Sequence, residues 1–106
     1  MSNGLYVLDD NGEPLLMEDL HVWARWTESH KPDTVVAQDM AANDDVVVLI
    51  STVFLGIDHN WGLGDPILWE TMIFGGPHHG YSERYTSRDE AIAGHAEAVA
   101  MVREGP

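Results

Sequence analysis

The strongest patterning lies in the middle of the chain. Val46 to Ile50 runs on through Val53-Phe54-Leu55 to Ile57, and this continuity predicts a strand buried on both faces. Ile67 to Phe74 predicts a second strand. The eight residues His59 to Pro66 between them are rich in glycine, so the pair reads as an antiparallel hairpin. Near the start, Leu5 to Leu8 and Leu15 to Met17 flank a turn-forming stretch with the favoured hairpin pair Asn11-Gly12. Leu20, Trp23 and Trp26 or Thr27 recur at helical spacing. They predict a helix over about Glu18 to Ser29, ended by Lys31-Pro32-Asp33. Thr34 to Met40 and Tyr81 to Thr86 predict further strands, with a turn over Ala41 to Asp45.

Ser87 and Glu90 form a capping box, in which each side chain satisfies a backbone N–H left free at a helix start. The helix they open runs to about Arg103, with Gly105-Pro106 as a stop. Ile92, His95, Val99 and Val102 lie on one stripe, broadened by Ala91, Ala98 and Met101. The order of elements predicts one α+β domain over residues 1–106: an antiparallel sheet of four or five strands with two helices packed on it.

Composition changes this picture in one respect. A chain of 106 residues with 44% hydrophobic and 22% charged residues is ordinary for a single core. Five Lys+Arg against 18 Asp+Glu is not, and the net charge is −13. The first fifty residues carry ten acids and two bases, so the excess is general rather than confined to a tail. A field of that sign disfavours duplex nucleic acid and anionic membranes. It leaves a small-ligand site with locally placed donors, a cation site, or mimicry of a polyanion. Cysteine is absent, which excludes disulfides, thiolate metal sites and a cysteine nucleophile. The start, Met1-Ser-Asn-Gly, has no signal-peptide pattern and no apolar run is long enough for a bilayer, so the expected location is the cytoplasm.

Candidate chemistry gathers around the hairpin and the last helix. Glu70 alternates with Leu68, Met72 and Phe74, so a carboxylate shares a side with large hydrophobes. Asp58 and His59 stand where the long strand enters the loop, and His95 lies on the apolar stripe. Packing of the helix on the hairpin would let Asp58, His59, Glu70 and His95 converge. Each also has a plain structural reading. His95 is then a satisfied core histidine, Asp58 a turn former, and Glu70 the partner of Arg84 or Arg88. Trp61, between Asn60 and Gly62 in the loop, is a candidate platform for stacking a base or ring. Gly62-x-Gly64 lacks the strand–loop–helix setting of a dinucleotide site, and His78-His79 point apart in extended chain.

Ser51-Thr52-Val53-Phe54-Leu55-Gly56-Ile57-Asp58-His59, followed by Pro66 to Gly76, Arg84-Tyr85-Thr86-Ser87 and Gly94-His95, resembles a family of small proteins encoded by bacteriophages and phage-like metagenomic sequences. The similarity runs from Ser51 to about Val99, roughly half the chain. It brings no activity with it. It implies a phage accessory protein, a class that includes counter-defence factors, acting in the host cytoplasm.

Three functions follow as expectations. The first is a non-enzymatic, homo-oligomeric binder of a small nucleotide-like ligand, held between the central hairpin and the C-terminal helix. Trp61 would stack, Asp58, Asn60 and Glu70 would accept hydrogen bonds, and His59, His95, Arg84 and the Gly62–Gly64 amides would donate. The second is a metal-dependent hydrolase of a nucleotide signal, with Asp58, His59, Glu70 and His95 around a divalent cation. The third is an acidic polyanion mimic that occupies a host protein's nucleic-acid site.

Overall fold

A computed structural model describes residues 4–43, 45–61 and 63–104. The predicted Gly105-Pro106 stop, and Gly62 with its amide, lie outside these residues. The fold is α+β, as expected. Strands β1 (Tyr6–Leu8) and β2 (Pro14–Leu16) form a small antiparallel ribbon. Helix α1 (Leu20–Ser29) follows, and Asp19 starts it by accepting from the amides of His21 at 2.9 Å and Val22 at 3.1 Å. Those bonds favour the ionised carboxylate and hold Asp19 below its ordinary pKa. A single 3-10 turn at Lys31–Thr34 breaks α1 at the proline.

The main sheet contains β3 (Val35–Asn43), β4 (Val46–Phe54), β5 (Trp69–Phe74) and β6 (Ser82–Tyr85). Every neighbour is antiparallel and the order in space is the order in the chain. Beta3 runs further than expected, to Asn43, because Ala41, Ala42 and Asn43 stay paired with Val48, Val47 and Val46. At the far end of the hairpin, Gly75 takes φ +90°, and a Cβ there would lie 2.6 Å from the Val47 carbonyl oxygen, so the turn requires glycine.

Helix α2 (Arg88–Glu104) starts at the predicted capping box, with the Glu90 amide donating to Ser87 Oγ at 3.1 Å. It lies across one face of the main sheet. Val48, Ile50, Ile73, Ala98 and Val102 fill the contact at one end, and Phe54, Leu68, Trp69, Tyr85 and Ala91 at the other. Fully burying each large aliphatic side chain there contributes about 1.5–3 kcal/mol. Trp26 of α1 extends the second group, with its ring edge-on to Phe54.

Two expectations change. Ile92 is not on the buried stripe. The residues that α2 buries are Ala91, Gly94, His95, Ala98 and Val102, so the apolar arc is rotated toward small residues and Ile92 sits on the flank. Gly94 takes that place because the Tyr85 ring occupies the space where a Cβ would stand. Beta4 is covered on one face only. Val48, Ile50, Thr52 and Phe54 are buried, while Val47 on the other side is exposed. Among the described residues no helix is long and apolar enough to cross a membrane.

Candidate functional site

Four of the expected site residues sit in one loop, and the loop is built from the chemistry of its own side chains. After β4, Leu55 donates to the Leu68 carbonyl at 2.6 Å, and Ile57 bridges to Leu5. Trp23 Nε1 caps the carbonyls of Tyr6 and Gly56, both at 3.1 Å, tying α1 to the loop's entrance. Asp58 is buried. Its Oδ1 accepts from the amide of Asn60 at 2.7 Å and from that of Ile67 at 3.0 Å, across the base of the loop. The His59 amide donates to the Ile67 carbonyl at 3.0 Å. Asn60 Nδ2 donates to the Asp65 carbonyl at 3.0 Å, and the Asn60 carbonyl accepts from the Leu63 amide at 3.0 Å.

This scaffold carries two large apolar side chains into solvent. Trp61 is 81% exposed and Leu63 is 82% exposed. Trp61 also has φ +55°, a left-handed conformation that a bulky side chain adopts only when its surroundings impose it, at a cost of order 1–3 kcal/mol. Leu63 was not singled out in the sequence, where a leucine in a glycine-rich loop carries no signal of its own.

Glu70 and Arg84 lie at the same end of the sheet, paired with each other through Arg84 Nε and Glu70 Oε2 at 2.9 Å. Glu70 sits opposite Val53, one residue away from Thr71, so it faces away from α2. His95 is on the other side of the sheet. The four groups Asp58, His59, Glu70 and His95 are therefore not gathered in one place. Among the described residues no group of three or more His, Asp or Glu side chains is placed to hold a metal ion.

His95 belongs instead to a chain of polar groups between α2 and the sheet. Its Nδ1 is 2.7 Å from Thr52 Oγ1, and its Nε2 is 2.7 Å from Asp39 Oδ2. Thr52 and Thr71 are directly opposed on β4 and β5, and their hydroxyls are hydrogen-bonded. With the ring proton on Nε2, His95 donates to Asp39 and accepts from Thr52, whose oxygen then accepts from Thr71. The Tyr85 phenol lies near the end of this chain, and its pKa is raised chiefly by burial, with Thr71 pulling the other way. Asp39, Thr52 and Thr71 were missed in the sequence. The available signal was their placement at inward positions of apolar strands.

An Asp–His–Thr arrangement carries the groups of a hydroxyl nucleophile and its base. Here Thr52 is fully buried and both ring nitrogens of His95 are occupied by protein groups. No substrate reaches the hydroxyl, so the chain is structural polar packing. The contact between α2 and the β4–β5 hairpin is filled with side chains, and open space lies along the flanks of α2. A groove of about 700 Å³ runs between β3 and α2, walled by Ala37, Ile92, Val99 and Ala100 beside Asp39 and His95. A second hollow of about 390 Å³ lies under Trp26, whose ring stacks on His30 at 4.6 Å. Its carboxylates, Asp9, Asp10 and Asp33, outnumber its basic side chains, His30 and Arg88. No protein-family model, curated protein or solved structure matches this chain.

Proposed function

We propose that the protein is a non-enzymatic binding protein that docks the Trp61–Leu63 tip into an apolar pocket on another protein. The observation that supports this most is a pair of large apolar side chains, each more than four-fifths exposed, on a loop held rigid at its base. Aromatic side chains that enter a pocket and lose all their water contribute most of the energy of many protein interfaces. A pinned loop also loses little conformational freedom on docking. The charge of −13 favours a partner whose pocket is rimmed by bases, as in proteins that handle nucleic acid. The resemblance to small phage proteins favours a host protein of that kind.

The small-ligand reading is less well supported. Asp58 and Asn60, the expected acceptors, spend their side chains inside the loop. The hollow under Trp26 is rimmed by carboxylates that repel phosphate.

Site-specific photocrosslinking in a bacterial host tests the reading. A benzophenone side chain in place of Trp61 is expected to give one protein adduct. Leu63→Ser and raised salt should both weaken it. No protein adduct, or the same adduct from a probe at exposed Asp33, would overturn the proposal.

A further inference from the structure

The face of the main sheet turned away from α2 has no cover among the described residues. Met40 is 70% exposed, Val47 59% and Phe74 40%, and Leu49, Val53 and Met72 lie half-buried among them. Pairing across the strands sets these six on one side, since Met40 opposes Leu49, Leu49 opposes Phe74, and Val53 opposes Glu70. The protein's shape agrees with an uncovered layer. Its smallest extent is 22 Å, the depth of one sheet and one helix, and its radius of gyration of 15.1 Å exceeds the ~13 Å of a compact domain this long.

We infer that this face is the contact between two copies of the chain, packed sheet against sheet. Three observations select a second copy as the occupant. The first is charge. Each chain carries −13, yet among the described residues the only charged strand positions on this face are Glu70 and Arg84, bonded to one another at 2.9 Å. Two such chains meet here without bringing unpaired acids together, and a basic partner finds no unpaired acid to recognise. The second is pattern. Apart from Ser51 and Thr52, β4 is apolar on both of its faces, the pattern of a strand covered on both sides, and the chain itself supplies one cover. The third is size. Four strands about 4.8 Å apart and some seven residues long present a flat footprint of about 450 Å² before side-chain relief. That is a little over half of the roughly 800 Å² of accessible surface each partner buries in a standard interface, and the relief of protruding Met40, Val47 and Phe74 adds to the flat value. Two sheets stacked about 10 Å apart give a four-layer, two-fold dimer with an α2 helix on each outer side.

The surface is separate from the Trp61 loop, and the test does not depend on that loop's partner. Sedimentation equilibrium of the purified full chain at micromolar concentrations is expected to give twice the 11.8 kDa of one chain. Association should tighten as salt is raised, because salt screens the repulsion between the two acidic bodies. Val47→Lys places like charges in the contact and should weaken the dimer at least about tenfold, with an unchanged circular dichroism spectrum. If that variant does not fold, Met40→Gln provides the same comparison at a more exposed position. A wild-type monomer at all concentrations overturns the inference. So does a dimer that survives a folded Val47→Lys or Met40→Gln, or one dissociated instead by Ile92→Lys in the groove beside β3.

Discussion

Neither face of the main sheet follows the usual rule of polarity strictly, since the mostly apolar core under α2 encloses a polar chain and the opposite face leaves apolar side chains uncovered. The face under α2 is sealed and contains Thr52, Thr71 and His95, while the bare face presents Met40, Val47 and Phe74 to solvent. The difference shows that burial follows partners rather than side-chain class. The sealed polar groups hydrogen-bond in sequence from Asp39 to Thr71, so their loss of water is compensated. The apolar groups outside are covered by no described helix or loop of the chain. One face is held by directional bonds and tight fit, the other by nothing yet present, and mutations should separate them.

The largest effect is expected for His95→Ala. It opens a cavity and removes the bonds to Thr52 and Asp39, at a cost of about 2–4 kcal/mol in chemical denaturation. A variant that loses less than about 1 kcal/mol would show that the polar chain is dispensable. Gly94→Ala comes next. It forces a methyl group into the Tyr85 ring, and overpacking of this kind costs about 1–3 kcal/mol, although alanine is the better helix former. Calorimetry should show a melting temperature lower by roughly 5–15 °C.

Thr52→Val, Thr71→Val and the double variant sharpen the comparison. Each single change leaves a buried group without its partner, at about 1–2 kcal/mol. The double variant should cost less than the sum by about 1 kcal/mol, since the second change removes a hydroxyl already unpaired. Strict additivity would mean that the two hydroxyls do not interact. On the bare face Glu70→Gln should have the smallest effect, under about 1 kcal/mol, because Arg84 is half exposed and water replaces the carboxylate.

Alkali should act on the sealed face alone. Burial raises the pKa of Tyr85, so the folded state keeps its phenol proton to higher pH than the unfolded chain. This contribution is complete below the unfolded value and is lost as pH rises from there through the folded one. Urea midpoints should therefore fall as pH rises above about 10, the ordinary tyrosine value. A Tyr85→Phe variant that falls equally would assign the loss elsewhere.

Most of the fold was legible because its elements are local. The capping box at Ser87, the turn at Asn11-Gly12 and the two apolar strands of the hairpin each carry their own signal. The apolar stripe of α2 was legible only in part, since Gly94 is buried for the sake of a Tyr85 ring that periodicity does not reveal. His95 was read as interior and is buried. Its partner Asp39 is 56 residues away, and no spacing rule joins them. Trp61 stood out as a large ring in a glycine-rich loop. The use of Asp58 and Asn60 to hold that loop depends on backbone amides whose directions appear only in three dimensions.

Because each strand of the main sheet pairs with its neighbour in sequence, β3 to β6 form by short loop closures, which favours rapid folding. The β1–β2–α1 unit is different. Its fastening includes the Trp23 indole on the Tyr6 and Gly56 carbonyls and the contact of Trp26 with Phe54, all made across long stretches of chain. Such a unit can detach while the meander and α2 stay folded. Native-state hydrogen exchange should then find the amides of α1 opening at a lower free energy than those of β4 and β5. The same opening would free Gly56 at the entrance of the Trp61 loop, so the rigidity of the exposed tip is set by how firmly the amino-terminal helix stays docked.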